Sequence, residues 1–314
     1  MKKKSYEGAI IDGHCHLAST HFIPRGFYQG LVDNVAAKLA ASGVPTRPSR
    51  LLEMYLSQSQ DHNADELVAE MDKAGIDKAV ILLPDFTHVF ESELTISEMF
   101  DKHHEVLQRH PDHFVVFAGV DPRWGDDGIA LFEKGVKEYN FKGLKIYPPC
   151  GYSPSDKSLY PYYEICREHK LPVLLHIGPT SPTLSFEYSV PGLIDRAAMD
   201  FPEVNFILAH GSVHHFNECA ALCAYRANIY LDTGAFLGSL NPQGWQAQLR
   251  DMFKMNINHK IIFGTDWPVF RMSGGQRKII ESLRDVDGPL QNTSTLQANW
   301  IMNGNIRRLV DFGD

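Results

Sequence analysis

The sequence lacks the features that would place it in or across a membrane. Among its 314 residues, no apolar run approaches the roughly 20 residues that a helix needs to cross a bilayer. Its basic run, Lys2-Lys3-Lys4, is not followed by the apolar stretch of a secretory signal peptide. We therefore expect a cytoplasmic protein without a membrane partner.

Positive charge is scarce as well, since the formal net charge is −8 at pH 7. Phosphate neutralisation needs clustered Lys and Arg, so this balance argues against a nucleic-acid partner. The five cysteines are an odd number without an extracellular spacing, which argues against a disulfide framework. The G-x-S-x-G, P-loop, G-x-G-x-x-G and H-E-x-x-H motifs are also missing, so we expect none of the chemistries that they carry.

What the sequence does contain is a regular alternation of short apolar runs and longer helical stretches. Runs such as 79–83 and 114–118 are continuously apolar, as parallel strands buried on both faces are. The predicted strands lie near residues 9–14, 78–83, 114–120, 142–147, 172–176, 204–209, 228–232 and 260–265. The predicted helices lie near residues 63–74, 94–109, 127–139, 158–169, 191–200, 213–226, 243–255 and 275–284. This pattern predicts an α/β fold, a distorted (β/α)8 TIM barrel, as one domain over residues 1–314.

Two segments depart from the repeat. Residues 17–62 are too long for an ordinary strand-to-helix loop, and they contain a helical piece from Gly30 to Ala41. In a barrel this insertion emerges at the C-terminal face, where it can form a lid, a dimer contact or simple packing. The segment from about residue 293 to 314 is predicted to be a helical extension that closes the bottom or side of the barrel.

Residue types suited to metal binding and proton transfer stand at several predicted strand ends. The first strand ends in Asp12-Gly13-His14-Cys15-His16, and side chains two apart on a strand point to the same face. His176, His210 and Asp266 each follow a later apolar run. Because barrel active sites lie at the C-terminal ends of the strands, these side chains are expected to meet there, as a metal site requires.

The motifs together resemble the amidohydrolase superfamily, in its compact amidohydrolase-2 (ACMSD-like) group of metal-dependent hydrolases and decarboxylases. The resemblance extends from the first strand to the final helix. It rests on residues 12–16, on 143–148 (Gly-Leu-Lys-Ile-Tyr-Pro), on 171–176 (Leu-Pro-Val-Leu-Leu-His), on 208–211 (Leu-Ala-His-Gly), on 263–268 (Phe-Gly-Thr-Asp-Trp-Pro) and on 303–309 (Asn-Gly-Asn-Ile-Arg-Arg-Leu).

The resemblance implies a role for each motif residue. His14, His16 and His176 would bind a divalent metal, and Asp266 would be a ligand that also takes the proton from metal-bound water. His210 would polarise the substrate or shuttle a proton. Zinc is the expected metal because neutral imidazoles suit it, although Mn, Fe or Co also fit.

Other residues have more than one interpretation. Lys145 near the end of the fourth strand can be a carboxylated bridge between two metals, a cation that binds a substrate carboxylate, or a structural residue. Asp12 is expected to support the histidines from behind. Tyr147 and Arg271 are further candidates for binding the substrate.

The favoured function is metal-dependent hydrolysis of a small, anionic or cyclic carbonyl compound, such as a lactone or an amide, by metal-activated water. The alternative is a lyase, a non-oxidative decarboxylase of an aromatic or unsaturated carboxylic acid. His14 tilts the choice towards hydrolysis, because some decarboxylases of this group have glutamate in its place. A non-catalytic binding barrel is a third reading, which the complete ligand set disfavours. Relatives also suggest a homodimer.

Overall fold

Eight parallel strands form one sheet in a computed structural model that describes residues 6–211, 213–235, 244–271 and 274–313. Each strand pairs with its neighbours in chain order. The strands are β1 (Ile11–Cys15), β2 (Lys78–Leu83), β3 (Phe114–Gly119), β4 (Gly143–Ile146), β5 (Val173–His176), β6 (Phe206–Ala209), β7 (Ile229–Asp232) and β8 (Ile261–Ile262). The predicted TIM barrel is therefore confirmed.

The barrel is closed between β1 and the chain that follows β8. The Gly13 amide donates to the Phe263 carbonyl at 2.8 Å, and the His16 amide donates to the Trp267 carbonyl at 2.7 Å. In the opposite direction, the Asp266 amide donates to the His14 carbonyl at 2.8 Å. Strand β8 is shorter than the predicted run 260–265, yet these bonds hold its continuation against β1.

Side chains alternate between the barrel interior and the helix layer, as the two-residue period of a strand requires. In β2, Val80 and Leu82 belong to a buried interior cluster, whereas Ala79, Ile81 and Leu83 pack towards the helices. The interior cluster comprises Ile11, Val80, Leu82, Val115, Phe117, Leu174, Ile207, Ala209 and Ile262, together with Ile306, Leu309 and Val310 from the C-terminal segment. The C-terminal segment thus packs against the interior of the barrel.

The helices surround the sheet and lie close to their predicted positions. They are α1 (Arg25–Ala41), α2 (Pro48–Ser57), α3 (Asp65–Ala74), α4 (Ile96–Arg109), α5 (Gly125–Lys137), α6 (Tyr160–His169), α7 (Asp195–Asp200), α8 (Phe216–Tyr225), α9 (Trp245–Phe253), α10 (Gly275–Arg284), α11 (Thr295–Asn299) and α12 (Asn305–Leu309). The predicted helix 191–200 begins instead as a 3-10 turn, Pro191–Ile194. Residue 243, the first of the predicted helix 243–255, lies outside the described residues, as do Lys2-Lys3-Lys4.

The insertion after β1 holds two helices where one was predicted. Helix α1 begins at Arg25 rather than Gly30, and α2 was missed, although Pro48 at its first position is typical of a helix start. The two helices share a small apolar cluster of Tyr28, Val32, Ala36, Leu51 and Leu52. Its role as a lid or a dimer contact stays a prediction, as does the single-domain assignment.

The start of α1 contacts loops at the C-terminal face of the barrel. The Phe27 ring lies 5.1 Å from the ring of Phe86, which follows β2. The Ser181 hydroxyl, which follows β5, donates to the Phe27 carbonyl at 2.7 Å. The insertion therefore borders the end of the barrel where the strand-end histidines lie. Within the part of the chain that the structure describes, no helix is long and apolar enough to span a bilayer.

Candidate metal centre

Six side chains from five strand ends converge at the C-terminal face of the barrel. His14 lies in β1 and His16 directly after it, while His176 and Asp232 are the last residues of β5 and β7. His210 directly follows β6, and Asp266 lies in the segment after β8. The six residues are His14, His16, His176, His210, Asp232 and Asp266, and each is at most 9% exposed. The strand register therefore places these polar groups in a buried site.

His14, His16 and Asp266 form a tight group that can hold a metal ion. Asp266 Oδ1 lies 3.3 Å from His14 Nε2 and 3.5 Å from His16 Nε2. The ligand atoms of the three residues all lie within 4.8 Å of one another. His14 Nε2 has no hydrogen-bond partner among the described residues, so this buried nitrogen is free to bind a ligand.

The two histidines of the His-x-His motif are oriented by bonds from their Nδ1 atoms. His16 Nδ1 lies 3.0 Å from the Leu82 carbonyl oxygen, so this nitrogen carries the proton and donates it. His14 Nδ1 lies 2.8 Å from Asp232 Oδ2. Burial lowers the pKa of His16, which favours a neutral imidazole. Such outer bonds commonly fix the ring orientation of metal-binding histidines.

His176 and His210 lie beside this group. Their ring centroids are 4.8 Å apart, and the His210 ring lies 4.6 Å from the His14 ring. His176 Nε2 and His210 Nδ1 are buried without a hydrogen-bond partner among the described residues. The structure thus brings His176 to the site, but not within the tight three-residue group, and its role as a ligand stays a prediction.

The charge states of the site follow from burial and from neighbouring charges. Burial lowers the pKa of His210 to about 3, so its imidazole is neutral at neutral pH. Burial would raise the pKa of Asp266, but His210, His14 and His16 outweigh it and hold that pKa well below its usual value. Asp266 is therefore a carboxylate, which can bind a cation or accept a proton.

Asp12 bonds to the backbone of both segments that carry the tight group and to Gln276 of α10. Its Oδ1 accepts the backbone amides of His14 at 3.1 Å and Thr265 at 2.9 Å, and its Oδ2 accepts from Gln276 Nε2 at 3.0 Å. Thr265 directly precedes Asp266. One buried carboxylate thus joins the two segments that carry the tight group.

Lys145 is a buried cation at the same end of the barrel. It is 1% exposed, and its Nζ has no hydrogen-bond partner among the described residues. Burial lowers its pKa to about 8, although Asp232 and Asp266 act in the opposite direction. Its Nζ lies over the Tyr147 ring, 5.5 Å from the ring centre. A buried amine that makes no hydrogen bond is costly, which favours a role in binding over a structural one.

Tyr147 and Arg271, the two other predicted substrate contacts, differ in their surroundings. The Tyr147 ring stacks on the His176 ring at 4.5 Å, and its hydroxyl lies 2.6 Å from the Thr180 hydroxyl. Arg271 forms an ion pair with Glu66 and donates to the Gln58 carbonyl at 3.3 Å. Tyr147 thus lies against a predicted ligand, whereas the charge of Arg271 is already paired; a substrate role stays a prediction for both.

Asp232 is the site residue that the sequence analysis missed. It ends the apolar run 229–232, the same pattern that identified His176 and Asp266. The missed signal was therefore present in the sequence. Gly234 was also missed; a Cβ there would lie 2.9 Å from His14 Nδ1, so the chain can approach His14 only without a side chain.

The donor set fits a divalent metal. It offers buried imidazole nitrogens without partners, in His14 and His176, next to the carboxylate of Asp266. Imidazole and carboxylate ligands suit Zn, Mn, Fe and Co alike. The fold and this donor set define a class of protein, a TIM barrel whose strand ends carry a histidine and carboxylate cluster that can hold a metal.

The family follows from the sequence. The profile of the amidohydrolase family, Amidohydro_2, matches residues 11–312. The chain therefore belongs to this family, and the predicted resemblance is confirmed.

Individual relatives are distant. A solved TIM-barrel protein from Bordetella bronchiseptica, described as uncharacterized, is similar with a TM-score of 0.68 and 20% identity, over 96% of this chain and 98% of that one. A 5-carboxyvanillate decarboxylase from Novosphingobium aromaticivorans, solved with manganese and 4-hydroxy-3-methoxy-5-nitrobenzoic acid, has a TM-score of 0.64 and 13% identity, over 98% of both chains. Protein fluG of Emericella nidulans is 25% identical over 99 residues, which are 32% of this chain but 11% of that protein. The two structural similarities show a shared fold.

Proposed function

We propose that this protein is a metal-dependent carboxy-lyase that removes CO2 from a small aromatic or unsaturated carboxylic acid without an oxidant. The observation that carries the proposal is Lys145, a buried cation at the end of the barrel that holds the histidine cluster. Its Nζ has no hydrogen-bond partner among the described residues and lies 5.5 Å from the centre of the Tyr147 ring. Such a cation can bind a substrate carboxylate through charge-assisted hydrogen bonds. Similarity to a decarboxylase solved with manganese and a nitrobenzoic acid supports the same reaction.

The metal would be held by His14, His16, His176 and Asp266. When bound, it supplies a Lewis acid that polarises an oxygen of the substrate and lowers the pKa of a water molecule. Zinc suits these ligands, and manganese is supported by the decarboxylase structure.

The protein's own residues would bind the substrate and move one proton. Lys145 would bind the carboxylate, and the buried Tyr147 ring would provide a flat apolar surface beside His176. The bond between the carboxyl group and its carbon breaks, and CO2 leaves. Asp266 would first take a proton from an acidic group of the substrate. It would then give this proton, directly or through His210, to the carbon that has lost CO2, and the product would leave as its anion. Burial of the site excludes bulk water from these steps.

Hydrolysis is the second candidate, and it is the function that the sequence analysis favoured. The His-x-His motif and the carboxylate of Asp266 also suit activation of water against a carbonyl. The decarboxylase similarity favours the lyase instead, so hydrolysis is not confirmed. Both candidates need the same metal and the same small-molecule substrate site.

The test measures the release of the carboxyl group as CO2 separately from the incorporation of oxygen from water into the product. Protein loaded with Zn or Mn would be incubated with hydroxybenzoates, unsaturated dicarboxylic acids, lactones and amides, in water enriched in oxygen-18. A lyase releases one CO2 per product, and the product gains no solvent oxygen. A hydrolase gives a product that carries oxygen-18 and releases no CO2, and this result with turnover would contradict the proposal.

A further inference from the structure

Asp232 forms at least three hydrogen bonds with other residues at the strand ends. It is fully buried at the end of β7. Its Oδ1 accepts the backbone amides of His210 at 2.9 Å and Gly234 at 2.8 Å. Its Oδ2 lies 2.8 Å from His14 Nδ1. One carboxylate therefore joins the ends of three strands, β1, β6 and β7.

The bond to His14 decides which ring nitrogen faces the site. A carboxylate can only accept, so the hydrogen of this bond belongs to His14 Nδ1. His14 Nε2 is the nitrogen that lies 3.3 Å from Asp266, and a metal binds a ring nitrogen that carries no proton. We propose that Asp232 is a positioning residue, which keeps the proton of His14 on Nδ1 so that Nε2 is available to the metal. This inference rests on the proposed metal dependence.

The same carboxylate holds His210 in place through the main chain. His210 has a φ of 60°, in the left-handed region that residues with a side chain rarely adopt. The bond from its amide to Asp232 helps to stabilise this conformation. A change at Asp232 should therefore disturb two neighbouring imidazoles, although the carboxylate itself need not touch the substrate.

A direct role as a metal ligand fits Asp232 less well. His14, His210 and Asp232 do form a second close group of possible ligand atoms. However, Oδ1 of Asp232 already accepts hydrogen bonds from two backbone amides, and Oδ2 already accepts one from His14 Nδ1. Backbone amides cannot turn away without moving the chain at His210 and Gly234. The arrangement is that of a support behind a ligand.

The substitution Asp232→Asn tests the inference because an amide accepts at one end only. If its oxygen keeps the backbone amides of His210 and Gly234, its NH2 group donates to His14 Nδ1 and forces the ring proton onto Nε2. In the reversed orientation, its NH2 group faces two backbone donors. We expect the dissociation constant for Zn or Mn, measured by competition with a chromophoric chelator, to rise about 10- to 100-fold.

The matched control is Asp85→Asn. Asp85 is also a buried carboxylate after a strand, but its oxygens accept from the amides of Thr87 and Asp121 and from the Trp124 indole. We expect this variant to keep the metal affinity of the wild type. The melting temperature of each metal-free variant separates a loss of folding from a loss of affinity.

A second measurement needs no variant. In zinc-loaded wild-type protein labelled with nitrogen-15 histidine, His14 should show a proton on Nδ1. Wild-type affinity in Asp232→Asn, or a His14 without a proton on Nδ1, would overturn the inference. Should the variant fail to fold, the wild-type spectrum decides. A wild-type protein that binds neither Zn nor Mn would overturn the proposed function itself.

Discussion

Two buried lysines at opposite ends of the barrel differ in their surroundings. Lys260, which precedes β8, donates to the backbone carbonyls of Cys223 and Arg226. Lys145, at the end of β4, is buried more completely, and its Nζ has no hydrogen-bond partner within the described residues. A buried cation whose hydrogen bonds are unmade destabilises the fold, which favours a use of Lys145 other than stability.

Amide and imidazole groups repeat the contrast. At the amino-terminal end, Asn305 donates to the carbonyls of Asn258 and Ile261. At the carboxyl-terminal end, Nε2 of His14 and of His176 has no hydrogen-bond partner among the residues that the structure describes. In TIM barrels the first end commonly serves stability and the second serves chemistry. The predictions below test this division, from the largest expected effect to the smallest.

The largest effect is expected from Asp266→Asn at the carboxyl-terminal end. The amide cannot take or pass on a proton, so kcat should fall about 100- to 10,000-fold. Substantial metal should remain, since the histidines are unchanged, and elemental analysis would measure it. An unchanged kcat would remove Asp266 from the proton-transfer step under either proposed reaction.

His176→Ala should lower metal occupancy, because it removes a predicted ligand and leaves the Tyr147 ring without its stacking partner. The measurement is metal content per chain after dialysis against a metal-free buffer. Full occupancy with normal turnover would exclude His176 as a ligand and leave the tight group of His14, His16 and Asp266.

The pair Lys145→Met and Lys260→Met tests the contrast between the ends directly. Lys145→Met should lower kcat/KM for a carboxylate substrate about 10- to 100-fold, the value of a charge-assisted hydrogen bond, and leave urea stability unchanged or higher. Lys260→Met should keep kcat/KM but lower the free energy of unfolding by about 1–3 kcal/mol, because two carbonyls lose their donor. If both variants lose only stability, the proposed role of Lys145 fails.

The smallest effect is a dependence of stability on pH in the metal-free protein. Burial lowers the pKa of His210 to about 3 and that of His103, which lies in α4, to about 4. The unfolded chain binds protons near the usual pKa of 6.5, so the free energy of unfolding should decrease as the pH falls from 6.5 towards 4. In the metal-free protein, burial lowers the pKa of His14, but Asp232 and Asp266 outweigh it and raise this pKa to about 9, so His14 stays protonated in the folded state and adds little in this window. A metal would displace the proton from Nε2.

Urea titrations between pH 6.5 and 4.5, in the presence of a chelator, measure this dependence. His103→Gln should remove part of it without changing metal affinity, since His103 Nδ1 bonds to the Met99 carbonyl within its own helix. A flat stability curve over this range would show that neither histidine is held neutral by burial.

The strands could be predicted because each is a run of apolar residues whose burial the sequence pattern shows directly. Residues 79–83 and 114–118 need no knowledge of their neighbours to be recognised as buried strands. Helix α2 was missed because its apolar residues, Leu51 and Leu52, face α1 rather than the barrel. The amphipathic pattern of α2 can be interpreted only when the position of α1 in the same insertion is known.

The site was predictable in its residue types but not in its connections. The motifs indicated His14, His16, His210 and Asp266, which the structure brings together. Asp232 ends an apolar run, so its position could have been predicted, but its bonds to a ring in β1 and to an amide after β6 could not. The pairing of Arg271 with Glu66 depends on how the segment after β8 meets α3, and no local pattern reports that contact.

The contacts between β1 and the segment after β8, which close the barrel, affect how the chain folds. The amide of Thr265 reaches Asp12 across 253 positions of the chain, and Asp266 meets the histidines of the first strand at the same place. Contacts this distant in sequence form at a high cost in chain entropy, and a partly synthesised chain cannot form them. A metal that binds only the closed ring stabilises the ring by mass action. Metal binding would then require that the first strand and the segment after the last strand have paired. Removing the metal with a chelator should weaken the contacts between these two segments before other contacts of the barrel.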